Sequence, residues 1–306
     1  MRSVHEFLKT SPFDIYELHL FHLVAEHRSF TKAAELAGLT QSAVTRQMQG
    51  IEESLGVALF ERTTRSVRLT PAGQMLRAES GRLLGDVDQV LRRIREDFAG
   101  AKKVIRVAVS RSVGLAYLPG FFHANLRRLP QVGYRVSYDA SGKVLTALEN
   151  NEADLGVISP PARLPETLRV THRFTDGFAI IAPANAARDS AFASKRARLD
   201  WGNRQNWLLL DESGNTGRRL RAWMKREGIV AEPGMTLDNF DLIINLVSLG
   251  MGVSCVPIRA LALYARKRNI RRIAWPARFT RELVVVVRRN REIPEHVSQF
   301  IANVLF

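Results

Sequence analysis

The stretch TQSAVTRQMQGIEESLG, Thr40 to Gly56, decides how the N-terminal part of the chain folds. Its apolar side chains recur at steps of four, three and four residues, which is the spacing of one helix face: Val44, Met48, Ile51 and Leu55. The other face is polar, has no carboxylate in its first two turns, and carries Ser42, Thr45, Arg46 and Gln49. The stretch therefore predicts a helix that packs on its own domain through one face and keeps the other free of negative charge.

The residues before this stretch predict two further helices. Apolar positions favour a helix over Ile15–His27. Ser29 and Thr31 offer N-caps for a second helix, Lys32–Ala37, which Gly38 ends. The order helix, helix, short glycine-containing turn and helix is typical of a helix-turn-helix unit.

Two short extended pieces and a long helix follow this unit. The stretch ALFERTTRSVRLTPAG, residues 58–73, alternates and carries three arginines, which indicates a β-wing: Arg62, Arg65 and Arg68. Thr70 as N-cap and Pro71 at the first helical position then begin a helix that runs to about Phe98.

The long helix carries an apolar stripe with a seven-residue component. An isolated helix of this length needs a partner for its stripe, and we expect that partner to be the same helix of a second copy. The residues assigned to the seam of this dimer are Leu83, Leu84, Val87, Leu91 and Ile94.

Beyond Gly100 the pattern changes to short apolar runs that alternate with helical patterns. Runs that are apolar on both faces indicate strands of a sheet covered on both sides, hence an α/β fold, and the length of this region suits two lobes. Ligands of such sheets bind beyond the carboxyl ends of strands, near helix N-termini. The predicted strands are 104–109, 155–159, 178–183, 207–210, 252–257 and 283–287.

Composition excludes several classes of protein. No run of about 18 apolar residues occurs and the N-terminus lacks the apolar region of a signal peptide, so we expect a cytoplasmic protein without a membrane span. The single Cys255 excludes a disulfide within one chain and is expected to be a buried small hydrophobe. Residues 1–100 carry as many basic as acidic side chains, so the net charge of +15 lies in residues 101–306 and does not by itself argue for DNA binding.

The sequence contains no motif of an enzyme. Seven histidines are present, but no Cys/His/Asp cluster has metal-ligand spacing. The stretch GMGVSCV lacks the final glycine of a nucleophile elbow, and no phosphate loop of the P-loop type occurs. We therefore expect no enzymatic activity, no cofactor and no metal.

Residues 15–73 resemble the N-terminal domain of LysR-type transcriptional regulators, through the ordered run FHLVAEHRSFTKAAELAGLTQSAVTRQMQGIEESLGVALFERTTRSVRLTPAG. The stretches ADLGVIS and LVSLGMGVSCVP follow in the order of that family. The resemblance implies an α + α/β fold with a winged helix-turn-helix, a linker helix and two effector-binding lobes like those of periplasmic binding proteins. It also implies a homotetramer on promoter DNA. The expected bounds are 1–73 for the DNA-binding domain, 74–100 for the linker and 101–306 for the effector domain, with lobe 1 at about 101–161 and 280–306 and lobe 2 at about 162–279.

By this resemblance, one face of the third helix and the wing contact DNA. Gln41 can pair with adenine through two hydrogen bonds, and Arg46 with guanine or a phosphate, whereas Gln49 reaches only the backbone. The wing arginines would meet phosphates or the minor groove. A solvated helix face and a solvated strand edge are the alternatives. The assigned DNA contacts are Gln41, Ser42, Thr45, Arg46, Gln49, Arg62 and Arg65.

The effector site is placed on three polar loops that precede predicted helices. Ser112, Ser141 and the pair Asn215 and Thr216 stand where the family has residues that hold an inducer. Arg111 departs from the small or apolar residue expected beside Ser112 and would pair with an anionic effector such as a carboxylate. The alternatives are ordinary N-caps for the polar residues and a surface ion pair for Arg111.

The sequence thus predicts an effector-responsive transcriptional regulator that binds a partly palindromic promoter site. Its expected partners are double-stranded promoter DNA, a small molecule and further copies of itself, and RNA polymerase is left open. The competing class is a small-molecule-binding protein whose α/β lobes act without DNA. An α/β enzyme is a third class, for which no nucleophile or base is present.

Overall fold

The computed structural model divides into two compact units, residues 1–99 and 100–306. The predicted linker segment belongs by its contacts to the first unit. The structure describes residues 13–63, 66–113, 122, 127–186, 194–230, 232–264 and 269–304.

Three helices with local start and stop signals build the first unit: α1 (Ile15–His27), α2 (Phe30–Ala37) and α3 (Gln41–Leu55). Asp14 forms a capping box with Glu17 at the start of α1. The second helix begins two residues before its predicted start, because Ser29 alone accepts the capping hydrogen bond, from the backbone N–H of Lys32. The predicted bounds of α1 and α3 are confirmed.

The core of the first unit lies under α3. Val44, Met48 and Ile51 are buried, as the helix periodicity predicts. The predicted burial of Leu55 is wrong, because this residue is the last of the helix and its side chain is 39% exposed. The aromatic rings of Phe21 and Phe30 both pack against Phe60, which is the first residue of the wing.

The wing and the long helix follow as predicted. Strands β1 (Phe60–Arg62) and β2 (Val67–Leu69) pair antiparallel. Helix α4 (Pro71–Phe98) begins with Thr70 as its N-cap. A side chain at Gly73 would place its Cβ atom 2.1 Å from the carbonyl oxygen of Leu59, so only glycine lets the helix approach the wing this closely.

A seven-stranded sheet forms the centre of the second unit. Its strands are β3 (Val104–Ser110), β4 (Gly133–Asp139), β5 (Leu155–Ile158), β6 (Leu168–Pro183), β9 (Ser254–Pro257), β10 (Ile270–Ile273) and β11 (Thr280–Arg288). The strand order is β10-β6-β11-β5-β3-β4, and β9 also pairs with β6. A separate parallel pair consists of β7 (Trp207–Leu210) and β8 (Pro233–Leu237). The described helices are α5 (Ser141–Glu149), α6 (Lys195–Asn203), α7 (Asn215–Arg226), α8 (Phe240–Ser248), α9 (Ile258–Leu263) and α10 (Glu295–Val304).

Strand β6 is shared by two lobes. Its residues 168–177 pair with β11, whereas residues 178–183 pair with β9 and β10. By its strand pairing, residues 168–177 therefore belong to lobe 1, although the sequence pattern assigned this segment to lobe 2. The pattern missed this half of the strand, because most of its side chains are partly or fully exposed and do not form an apolar run.

Candidate functional site

The polar face of α3 is open to solvent. Gln41, Ser42, Arg46 and Gln49 are exposed, and Thr45 is half-buried. Thr40 caps the helix, and the amide Nε2 of Gln41 donates to Thr45 Oγ1 at 2.9 Å. All five predicted DNA contacts of α3 thus lie outside the core, and the three buried apolar residues hold the helix from the opposite side.

Glu52, near the end of α3, has a structural role. Its carboxylate accepts hydrogen bonds from the backbone N–H groups of Leu59 at 2.7 Å and Phe60 at 3.0 Å. The same carboxylate lies 2.9 Å from a guanidinium nitrogen of Arg62. Glu52 therefore fixes the wing to α3, a role that sequence reasoning missed. Its signal was an acidic residue directly after the buried Ile51.

The wing arginines differ in what surrounds them. The guanidinium of Arg62 is paired with Glu52 and lies 4.4 Å from the centre of the Phe30 ring, so it is engaged within its own domain. Arg68 is exposed on β2. Arg65 lies outside the described residues.

An apolar stripe on α4 remains exposed in the single chain. Four of the five residues assigned to the dimer seam are between 38% and 59% exposed, namely Leu83, Val87, Leu91 and Ile94, and Leu84 is half-buried. Val90 and Phe98 extend the same exposed stripe. Apolar side chains in this arrangement are typical of a helix that packs on a partner.

In the second unit, Arg111 is held by two carboxylates. Its guanidinium nitrogens lie 3.2 Å from Asp238 and 3.6 Å from Asp139, and its side chain is 49% exposed. Although partial burial opposes ionisation of Asp139, the N–H of Ala140 and the cations Lys143 and Arg111 keep the pKa of this carboxyl below its usual value. Arg111 is thus a partly exposed cation with two ionised partners.

A buried ion pair lies beside the other predicted residues. Arg281 on β11 and Asp176 on β6 are paired in register, are both fully buried, and are joined from Nε to Oδ2 at 2.9 Å. The guanidinium also donates from Nη1 to Thr216 Oγ1 at 3.2 Å, and Thr216 in turn donates to Ser112 Oγ at 3.4 Å. Sequence reasoning missed this pair, although a charged residue next to the apolar run LVVVV was a usable signal.

Two other predicted effector residues, Asn215 and Ser141, are not part of this hydrogen-bonded group. Asn215 begins α7 and donates from Nδ2 to the carbonyl oxygen of Pro160 at 2.7 Å. Ser141 begins α5 but does not cap it. Within the described ranges, hydrogen bonds join Ser112 to Thr216, but none joins Ser141 to these two.

The described part of the chain shows no further group with the chemistry of a catalytic or metal site. Cys255 is buried, and burial raises the pKa of its thiol, which confirms the expected small hydrophobe. No group of three or more His, Cys, Asp or Glu residues there has the arrangement of a metal site. No helix in the described ranges is both long and apolar enough to cross a membrane.

Two families match the chain, one for each unit. Residues 15–74 match the family described as "Bacterial regulatory helix-turn-helix protein, lysR family", and residues 99–305 match the "LysR substrate binding domain". The chain belongs to the LysR family. It is therefore a LysR-type DNA-binding transcriptional regulator with an effector-binding domain, and the predicted α + α/β fold is confirmed.

Relatives of this LysR-type chain match over most of its length. The "Uncharacterized HTH-type transcriptional regulator YfeR" of Shigella flexneri is 28% identical over 286 residues, which cover 92% of this chain and 90% of the relative. A "Probable hydrogen peroxide-inducible genes activator" of Streptomyces viridosporus is 30% identical and covers 80% of this chain and 78% of its own length.

Solved structures of LysR regulators share the fold. CbnR has a TM-score of 0.69 at 19% identity, with 95% of this chain and 98% of CbnR covered. CbnR complexed with its target DNA has a TM-score of 0.68 at 21% identity, with 95% and 99% covered. At these identities the likeness concerns the fold.

Proposed function

We propose that this LysR-type regulator binds a partly palindromic promoter site through the α3 helices of two copies, and that its lobes sense a small anionic molecule. The observation that carries the DNA part of the proposal is the exposed, acid-free face of α3. Arg46 on this face forms no ion pair with a described residue, so its guanidinium is available to a base or phosphate.

The proposed contacts divide by chemistry. Gln41 and Arg46 read base edges in the major groove, because their side chains can each form two hydrogen bonds with adenine and guanine, respectively. Ser42, Thr45 and Gln49 support these contacts or reach the sugar-phosphate backbone. For the wing we propose phosphate contacts by Arg62 and Arg65. The guanidinium of Arg62 then binds both the phosphate and Glu52.

We further propose that α4 of two copies forms the dimer and that two dimers form a homotetramer. The exposed stripe on α4 supports the first step. We place the DNA-binding domain at residues 1–73, the linker at 74–100 and the effector domain at 101–306. A promoter-bound regulator acts in the cytoplasm of a bacterium, with RNA polymerase as a further proposed partner and without enzymatic activity.

For the effector we propose a carboxylate held by Arg111, Ser112, Ser141, Asn215 and Thr216. The hydrogen bonds of Thr216 indicate which hydroxyl group can donate to such a ligand. Because Thr216 Oγ1 accepts from Arg281, its own proton points to Ser112, and the proton of Ser112 is then free for a ligand oxygen. Arg281 is fully buried and paired with Asp176, whereas Arg111 is 49% exposed and can exchange a contact with Asp238 for one with an anionic group.

A mobility-shift experiment with the DNA upstream of its own gene tests the proposed function. Retardation by the wild-type protein, and its loss in Gln41→Ala/Arg46→Ala, is the expected result. The alternative function, a ligand-binding protein without DNA contacts, predicts no retardation by a folded dimer.

A further inference from the structure

A cavity in lobe 2 arises from the strand topology. Strand β10 ends where Ile273 pairs with Ile180, and β11 begins where Thr280 pairs with Gly177. Six residues, 274–279, therefore connect two points that are only three residues apart on β6. At roughly 3.3 Å per extended residue, this segment is about twice as long as the gap and must bulge away from the sheet.

The bulged segment is packed at both ends and encloses a cavity of about 640 Å³. A Cβ atom at Gly202 would lie 3.4 Å from the Trp275 ring, so this ring rests on helix α6. At the other end, Phe279 packs edge-on against Phe178 with ring centres 4.8 Å apart, and its carbonyl oxygen accepts from the N–H of Phe178. Packing and a hydrogen bond thus fix both ends of the segment.

The floor of the cavity is apolar and its rim is basic. Buried residues of three strands, helix α7 and the 274–279 segment form the floor, including Ile180, Trp223, Cys255, Ile273 and Phe279. Arg198, Arg272 and Arg278 stand around it. A second cavity of about 310 Å³ shares Trp223, Arg278 and Phe279 with the first and adds Arg219 and Arg226.

The charges of these two cavities are unbalanced. Five arginines and no acidic residue occur among their lining residues. Arg219, Arg226, Arg272 and Arg278 form no ion pair with any residue that the structure describes. An arginine beside an apolar wall pairs with carboxylate or phosphate oxygens through two parallel hydrogen bonds and stacks on flat rings.

We propose that this cavity is a second ligand site, for an organic anion with a flat apolar body. The body lies on the floor against Trp223 and Trp275, and the anionic group meets Arg272 and Arg278. The volume is within the range of about 300–1,000 Å³ that is typical of small-molecule sites. The site does not depend on the proposed effector residues, because none of them lines either cavity.

The test is calorimetric titration of the full-length protein with 2-naphthoate and with 2-naphthamide, which has nearly the same shape but no charge. We expect one naphthoate per chain, bound about tenfold or more tightly than the amide. Arg272→Ala/Arg278→Ala should remove this preference, and Ala179→Leu, which narrows the cavity, should weaken both compounds. Arg163→Ala, at an exposed arginine outside the cavity, is the matched control and should leave both affinities unchanged.

Three results would overturn the proposal. The first is equal affinity for the acid and the amide, or no binding of either. The second is loss of naphthoate binding in Arg111→Ala or Thr216→Ala, which would move the ligand to the proposed effector site. The third is a changed mass of Arg272→Ala/Arg278→Ala in sedimentation, which would make this surface a contact between subunits.

Discussion

At the scale of single residues, acidic and basic side chains in the DNA-binding unit have separate tasks. Glu52 holds the backbone of the wing, whereas Arg46 on the same helix has no acidic partner in the described ranges. Carboxylates near the first turns would repel DNA phosphates, and Glu52 avoids this because it points into the domain.

Base readout by α3 can be separated from folding. Ala at Gln41 or Arg46 should weaken specific binding by about 1–3 kcal/mol with little change in stability, because both side chains are exposed. Met48→Ala is the contrasting variant and should cost about 2–5 kcal/mol of stability, because this residue is fully buried. Fluorescence anisotropy with specific and random DNA checks this. Equal loss of affinity on both DNAs in Arg46→Ala would assign that residue to phosphate contact.

The anchoring role of Glu52 has a matched control next to it. Glu52→Ala leaves two partly buried N–H groups and Arg62 without their acceptor and should destabilise the first unit by about 1–3 kcal/mol. Glu53→Ala, at an exposed neighbour, should be close to neutral. All four tryptophans lie in the second unit, so helix circular dichroism follows the first unit while fluorescence follows the second. Equal stability of the two variants would contradict the anchor.

His22 should make the stability of the first unit depend on pH. Burial, and then the charges of Arg77 and His19, lower the pKa of His22 from its ordinary value of 6.5, and its ring contacts Ser80. The unfolded chain therefore takes up the proton first, so stability is complete above pH 6.5 and falls as the pH is lowered below it. Thermal unfolding at several pH values should show this loss in the wild type but not in His22→Gln. The exposed His27→Gln is the control, because His27 is not among the groups that shift the pKa of His22. An unchanged pH profile in His22→Gln would exclude His22 as the cause.

At the scale of elements, direct contacts tie α3, the wing and α4 together. The hydroxyl of Thr70 donates to the carbonyl of Ala58 while it caps α4, and Gly73 lets α4 touch the wing. Beyond Gly81, Gln89 is the only buried residue of α4, so the second half of this helix is largely unpacked. Any movement of α4 would therefore carry the recognition helix with it.

The stripe on α4 should decide the dimer. Leu91→Asp together with Ile94→Asp places charges in the proposed seam, and monomers are expected in sedimentation, because buried unpaired carboxylates are strongly unfavourable. Met75→Asp changes an equally exposed apolar residue of the same helix outside the assigned seam and should leave the dimer intact. A dimer retained in the double variant would show that another surface carries the association.

At the scale of the whole molecule, the charge is distributed unequally between the two units. The net charge of +15 lies in residues 101–306, while the unit that contains the recognition helix is close to neutral. In the second unit, part of this excess surrounds the lobe 2 cavity, whereas the charge of Arg111 is balanced by Asp238 and Asp139. The excess positive charge is therefore not confined to the solvated surface. The preference of the protein for acidic over neutral ligands is the property to measure.

The proposed effector site predicts a preference for acids. Succinate, which lacks the flat apolar body proposed for the lobe 2 ligand, should raise the melting temperature more than succinamide, and Arg111→Ala should abolish the difference, because its guanidinium is the accessible cation of that site. Arg163→Ala is the control on an exposed arginine. Stabilisation by the amides as strong as by the acids, or an undiminished effect in Arg111→Ala, would remove Arg111 from the site.

Several elements could be predicted from the sequence because their signals are local. The caps Ser29, Thr40 and Thr70 and the glycines after α2 and α3 act on their own helix ends, and the buried strands are continuous apolar runs. Strands β4, β8 and β10 and the first half of β6 were missed. They carry many partly exposed or exposed side chains, so the patterns of these strands resemble those of loops.

The distance in sequence between interacting residues also decides which parts of the functional sites can be predicted from a sequence and which require the fold. The exposed face of α3 follows from helix periodicity, because all its residues lie on one short helix. The pairs Glu52–Arg62, Asp176–Arg281 and Arg111–Asp238 join residues that are 10, 105 and 127 positions apart. No local pattern encodes such contacts, since they depend on which strands and loops the packing of the core brings together. For this reason the exposed face of α3 could be predicted, whereas the wing anchor, the buried pair beside Thr216 and the partners of Arg111 became known only from the fold.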